Sequence, residues 1–353
     1  MNEPPDSPKQ PAAARRFLAW LRRAFTIREV PSYAEGLIFG AACVGLVLLV
    51  WWFLTHGEGE ARIIDPYKLP SPGDTFESLR SLWFERELSL SAVTSLARVL
   101  GGFLLAAAVG VPLGVIAGSY LRVNAFLKPL TLFGRNVPIA ALIPLTLLAF
   151  GLGEVQKVMF IFFASVAFVF FDSTTSVQNV PDRFIDTAYT LGAGNSRKKG
   201  ARLAALAGFI YGVTFAIGWH WLRDENESPG LMTEMASAGF WWRFFGGFGT
   251  GFLLWFPITG HQVMRKVILP IALPDIVNSL RLIFGLAFGY IMLAEVINAK
   301  QGLGAIIINS QRIGPREHIY LCLIIISLMA WGIDRAIMLL QRHLFPYLKN
   351  AQA

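Results

Sequence analysis

Ser95–Gly118 reads SLARVLGGFLLAAAVGVPLGVIAG, 24 residues with a single charge, Arg98, near the start. An α-helix needs about 20 apolar residues to cross a hydrocarbon core of about 30 Å, so this run is long enough to span a bilayer. Small residues recur at every fourth position: Gly102, Ala106, Gly110, Gly114 and Gly118. That period gathers them on one nearly flat face, against which a neighbouring membrane helix can pack closely. Pro112 has no N–H, so one carbonyl a turn earlier loses its helical partner. The stretch predicts a tightly packed membrane helix, and with it an all-α polytopic membrane fold.

The flanking sequence extends this reading. Of 353 residues, 54% are hydrophobic and 15% charged, too little charge to cover a soluble domain of that length. Further apolar runs lie at Gly36–Leu54, Leu130–Phe150, Val158–Phe171, Leu203–Leu222, Phe240–Thr259, Leu282–Ile297 and Ile319–Leu340. Eight spans put both termini on one side. With the termini in the cytoplasm, the inner segments hold nineteen Lys and Arg and the outer ones nine, the sense of the positive-inside rule. The net charge of +8 is thereby explained by membrane sidedness, without nucleic acid. Cys43 and Cys322 fall inside the first and last runs and read as small core residues. Residues 1–14 are polar and expected to be disordered. Residues 15–25, RRFLAWLRRAF, suit either a helix lying in the inner interface or a solvated flank of the first span. Phe76, Leu79, Leu82 and Trp83 predict a short outer amphipathic helix over 74–90.

Several residues depart from plain membrane-helix chemistry. Pro138 and Pro144 interrupt the third run, and broken membrane helices persist where protein or a water-filled cavity satisfies the freed carbonyls. They are pathway candidates, with Asn136 beside them. Arg135 either joins that pathway or snorkels to the headgroups. Glu295 is ionisable within a membrane run and is a functional candidate for that reason. Between the fourth and fifth runs, Pro181 can open a short helix, and Asp182 and Asp186 suit its early turns. Ala188 and Gly192 are four apart and share a shallow face, while Gly192 and Gly194 can end the helix with positive φ. Residues 192–200, GAGNSRKKG, lack the Gly-Lys-Ser/Thr ending that wraps a phosphate. The five histidines show no metal-ligand spacing. The expectation is a chain with no catalytic residue, no metal site and no bound cofactor.

In order and spacing these motifs resemble the nitrate/sulfonate/taurine/bicarbonate branch of ABC importer permeases, the binding-protein-dependent inner-membrane components. The resemblance rests on residues 95–118, on NVPIAALIPLTLLAFGLGE (136–154), on DTAYTLG (186–192), on VILPIALPDIVNSLR (267–281), and on LAEV (293–296) with GLG (302–304). It implies a type I importer-like permease core in a bacterial inner membrane. It also implies a second permease copy or related chain, an extracytoplasmic substrate-binding protein, and ABC ATPase subunits that hold the ATP and Mg. The loop pressed against the ATPase would comprise Asp186, Ala188, Leu191 and Gly192 from its first half and Ile268, Leu269, Pro270 and Pro274 from its second. Two residues differ from the family pattern, Asp186 for its usual glutamate and Thr187 for its first alanine. The halves, joined in the family by a short spacer, are here separated by residues 193–267. The resulting partition is a tail over 1–35, a first span and outer loop over 36–90, the first part of the core over 91–195, an inserted hairpin over 196–262, the second part over 263–345, and a tail over 346–353. An even number of inserted spans returns the chain to its original side, so the halves can still meet. Spanning is preferred for both hairpin runs; lying in the interface is the alternative. The implied cargo is a small anion such as nitrate, a sulfonate, taurine or bicarbonate. The alternatives are a vitamin precursor such as a thiamine pyrimidine, or a non-transport anchor or signalling protein.

Overall fold

The computed structural model describes residues 26, 31–57, 62–194, 197–221, 238–297 and 300–347. The expectations for residues 1–25 and for the outer loop of the hairpin fall outside these. The chain divides into two units at Asp74/Thr75. In the first, helix α1 (Tyr33–Thr55) starts with a capping box. The Glu35 amide donates to Ser32 Oγ at 3.3 Å, and the Ser32 amide to the Glu35 carboxylate at 2.9 Å. The Trp51 indole donates to the Pro70 carbonyl at 3.0 Å. Cys43 is exposed on α1 rather than buried. The run is apolar all round, so its sequence marked no inner face.

The expected amphipathic helix over 74–90 is two short helices, α2 (Pro72–Glu77) and α3 (Leu79–Glu85). Of its four apolar residues only Leu82 is buried. The second unit is built on α4 (Leu88–Ser119) and α7 (Glu154–Gln178). Their backbones touch along the small-residue stripe. A Cβ added to Gly102 would lie 2.5 Å from the Val158 carbonyl oxygen, and one on Gly114 would lie 2.5 Å from Ser173 Cβ. Gly110 meets Val169 and Gly118 meets Val177 equally closely, and Ala106 is fully buried. No larger side chain fits on that face without prising the two helices apart.

Between them the expected single span over Leu130–Phe150 is broken. Helix α5 (Leu121–Asn136) ends at Val137, a 3-10 turn follows at Ile139–Ala141, and α6 (Leu142–Phe150) leaves at 91° to α5. The cause is local: Val137 precedes Pro138, and the proline ring pushes it out of the helical region to ψ 126°. Pro144 sits in the first turn of α6, where no N–H is needed.

The chain continues through α8 (Asp182–Thr190), α9 (Arg197–Trp221), α10 (Ala238–Gly260), a π-helical turn at Met264–Ile268, α11 (Leu269–Val296), α12 (Leu303–Ile313) and α13 (Glu317–Leu344). Among the described residues six helices are long and apolar enough to cross a membrane, and the bent α5/α6 pair brings this to seven. Helix α10 is not one of them: its 23 residues suffice in length, but glycine, tryptophan and Arg243 dilute its apolarity.

Helices α9 and α10 form an antiparallel hairpin on a second set of glycine contacts. Added Cβ atoms on Gly208, Gly212 and Gly247 would lie 2.7, 2.8 and 2.8 Å from carbonyl oxygens of the opposite helix. Phe244, Phe248, Phe252 and Phe256 stack in sequence along α10. The hairpin is also keyed to α4. Pro112 cannot donate to the Ala108 carbonyl, and the Tyr211 hydroxyl on α9 donates to that carbonyl instead. Trp255 Nε1 donates in turn to the Tyr211 oxygen at 3.3 Å. Two buried clusters fill the second unit: one around Phe103, Phe160, Phe284 and Phe288, the other around Val115, Val177, Met264, Ile268 and Ile276.

Candidate functional site

The first site lies at the turn between α7 and α9. Pro181 is the N-cap of α8, and the helix ends on a Schellman motif. The Ala193 amide donates to the Ala188 carbonyl at 3.0 Å, the Gly192 amide donates to the Tyr189 carbonyl at 3.0 Å, and Gly192 has φ +80°. A Cβ on Gly192 would meet nothing within 4 Å. Its glycine is needed for backbone conformation, not for close approach. Gly194 does not adopt positive φ.

The small face of α8 turns inward. Ala188 is 8% exposed and belongs to the same buried cluster as Val263, Met264, Ile268 and Ala272. The two halves of the divided motif therefore meet across the hairpin, and the Gln262 amide donates to the Gly194 carbonyl at 3.4 Å. The outward face carries Phe184, Asp186, Tyr189 and Leu191, the last 82% exposed. What is offered to the surroundings is thus an apolar and acidic ridge, whereas the Ala188 side seats on the chain's own π-turn.

Leu269, Pro270 and Pro274 lie within the first turns of α11, which begins well before the expected Leu282. Pro274 leaves the Pro270 carbonyl without its helical donor, and the Tyr347 hydroxyl fills the gap at 2.9 Å. Gln341 Nε2 donates to the Pro274 carbonyl at 3.1 Å. The last turn of α13 and the segment following it thereby steady the start of α11.

The pathway candidates separate into two places. Asn136, Pro138 and Pro144 are exposed at the α5/α6 bend, where the Asn136 amide folds back on the Leu132 carbonyl at 2.8 Å. Arg135 stacks over the Phe171 ring, its guanidinium 3.8 Å from the centroid. Glu295 is elsewhere. It is 0% exposed and sits in a knot of four charges at the opposite end of α4 from the α8 turn. Arg98, 5% exposed, forks onto Glu154 through Nε at 2.5 Å and Nη2 at 2.7 Å. Its Nη1 donates to Glu295 at 2.7 Å and to the Gln301 carbonyl at 2.7 Å. Lys157 donates to Glu154 at 2.7 Å. Ser95 Oγ donates to the Glu295 carboxylate, 2.7 and 2.9 Å from its oxygens, and accepts from the Leu303 amide at 2.9 Å. The Gly304 amide donates to Glu295 at 2.9 Å. Two cations and two carboxylates balance, and Glu295 caps the first turn of α12. Sequence reasoning found Glu295 but missed Arg98, Glu154 and Lys157. The available signal was that each is a charge inside or beside an apolar run.

Residues 110–222 and 258–350 match the family described as binding-protein-dependent transport system inner membrane component. The unmatched stretch falls inside the hairpin segment. The chain is similar to a putative ABC transporter permease protein of Methanocaldococcus jannaschii, 25% identical over 73% of each chain. It is similar to the taurine transport system permease protein of Escherichia coli, 24% identical over 86% of this chain and 87% of the relative. A putative aliphatic sulfonates transport permease protein of Bacillus subtilis is 23% identical over 91% of this chain and 90% of its own length.

Proposed function

Because this chain belongs to the binding-protein-dependent transport system inner membrane components, we propose that it is the permease subunit of an ATP-driven importer for a small anion. Two permease copies, or this chain with a related one, form the substrate path. Two separate ATPase subunits bind ATP and Mg, and a binding protein delivers substrate to the Glu295 end, which lies outside the inner membrane. Both termini are cytoplasmic, as the distribution of Lys and Arg indicates.

The observation that carries the reading is the reunion of the divided loop. Ala188 packs among Val263, Met264 and Ile268, so α8 and the start of α11 present one surface with Tyr189 and Leu191 outermost. A ridge of exposed apolar side chains beside Asp186 suits a groove on a soluble partner. Closure of the ATPases would push on α8 and, through Ala188, on the π-turn and α11. A rigid-body displacement of that kind is how domain motion is passed to membrane helices. Taurine and aliphatic sulfonates, named for two of the similar permeases, share a sulfonate group and support a small cargo that carries one anionic group.

Purification from the native membrane tests this. An ATPase subunit should accompany the parent chain and be lost from Leu191→Asp, with ATP-dependent anion uptake lost in parallel. Equal recovery of ATPase by both chains, or undiminished uptake by the variant, would overturn the docking surface.

A further inference from the structure

Arg98 joins groups from three spans and one loop at the Glu295 end of the molecule. Of its bonds, those to Glu154 stay within the glycine-packed α4/α7 pair. Those to Glu295 and the Gln301 carbonyl cross to α11 and the segment leading into α12. Ser95, one turn earlier on α4, makes the same crossing to Glu295 and the Leu303 amide. On the far side of this crossing, α11 is itself held tightly to the start of α12. A Cβ on Gly302, whose φ is +129°, would lie 2.6 Å from the Glu295 carboxyl carbon, and one on Gly304 would lie 2.6 Å from Glu295 Cβ. Opening the seam between α4 and α11 would part four hydrogen bonds together. It would also leave a fully buried carboxylate without its cation.

We infer that Arg98 is a positioning residue that clasps α4, α7, α11 and the N-terminus of α12 into one rigid body, so that no passage opens between α4 and α11 within a single copy. Glu295 is then a structural anchor of the clasp and not a substrate ligand. The inference rests on the transport reading only for its statement about passage. Under that reading the outer opening forms along another seam, with the clasped unit moving whole.

Spin labels on exposed positions at the two sides of the seam, Ser89→Cys and Lys300→Cys in a Cys43→Ser background, report its width in the complete complex in lipid, with the labelled chain diluted by unlabelled chain so that at most one copy in each complex carries labels. The expected result is one narrow distance distribution, identical without nucleotide and with ATP trapped. In Arg98→Met the distribution should broaden in every state. Ser95→Ala removes two of the crossing bonds without stranding a charge; it should broaden the distribution less, and it serves if Arg98→Met does not fold. A parent distance that changes with nucleotide would overturn the clasp, as would a Ser95→Ala or Arg98→Met distribution as narrow as the parent's. Absence of ATP-dependent uptake by the parent complex would sink the transport reading alone, since the comparison of parent with variant still judges the clasp.

Discussion

At the scale of single residues, the buried charges decide most. Truncating one partner of a buried ion pair typically costs about 3–5 kcal/mol, because the other is left charged and unpaired. Glu295→Ala leaves Arg98 its bonds to Glu154 but gives the buried group one positive charge too many, and it uncaps α12, so a loss approaching that order is expected in thermal unfolding of the purified chain. The double variant Arg98→Met/Glu295→Ala should recover part of it, since Lys157 still neutralises Glu154. A double variant no more stable than Glu295→Ala would argue against coupling. Arg98, Glu154 and Glu295 were legible in the sequence only as lone charges at the margins of apolar runs. Glu154 and Glu295 lie 56 and 197 positions from Arg98, and only the fold reveals that the three, with Lys157, form one neutral group. Gly192 shows the complementary case. Its need for positive φ was legible from its place after a short helix, whereas the open space around it was not.

At the scale of elements, periodicity was a good guide wherever a helix packs on one face. The four-residue repeat of small side chains on α4 reads directly as the surface that meets α7. Gly114→Leu should therefore destabilise the pair by at least the roughly 1–3 kcal/mol typical of overpacking, since its neighbours include the Phe170 carbonyl as well as side chains. Protease sensitivity of the variant in membranes would measure it. The 91° bend after α5 and the π-turn before α11 were not legible in the same way. A proline marks where a helix can break but not by how much, and a π-turn leaves no residue signature. The direction of Ala188 was likewise hidden: a small residue suits an inner face and a shallow outer one equally. Its burial now gives a prediction. Ala188→Trp should separate α8 from the π-turn, lowering ATPase recovery while leaving the α4/α7 pair intact. Protease resistance of α4 and α7 in membranes, the readout used for Gly114→Leu, reports on that pair. Tyr211→Phe tests the link from hairpin to core. Single hydrogen bonds between membrane helices average about 0.6 kcal/mol, so a small but measurable stability loss is expected. An unchanged midpoint would mean that the Ala108 carbonyl finds another donor.

At the scale of the whole molecule, the hairpin that the sequence suggests as an insertion is a bonded part of the fold, and the family match runs through its first helix to residue 222. The even number of crossings proposed for it predicts that a cysteine at Glu227 reacts with a membrane-impermeant reagent from the outside only. Reaction only from the cytoplasm would place both runs in the inner interface. The proline-freed carbonyl of Ala108 gives this hairpin a further meaning. An engineer wishing to restore the short spacer might join residue 193 to residue 267 and expect a smaller, ordinary permease. That cut would withdraw the Tyr211 hydroxyl from α4 and leave the Ala108 carbonyl without its donor, the same loss as in Tyr211→Phe. In a trimmed chain Pro112→Ala would return the missing N–H to its own helix and should recover that loss.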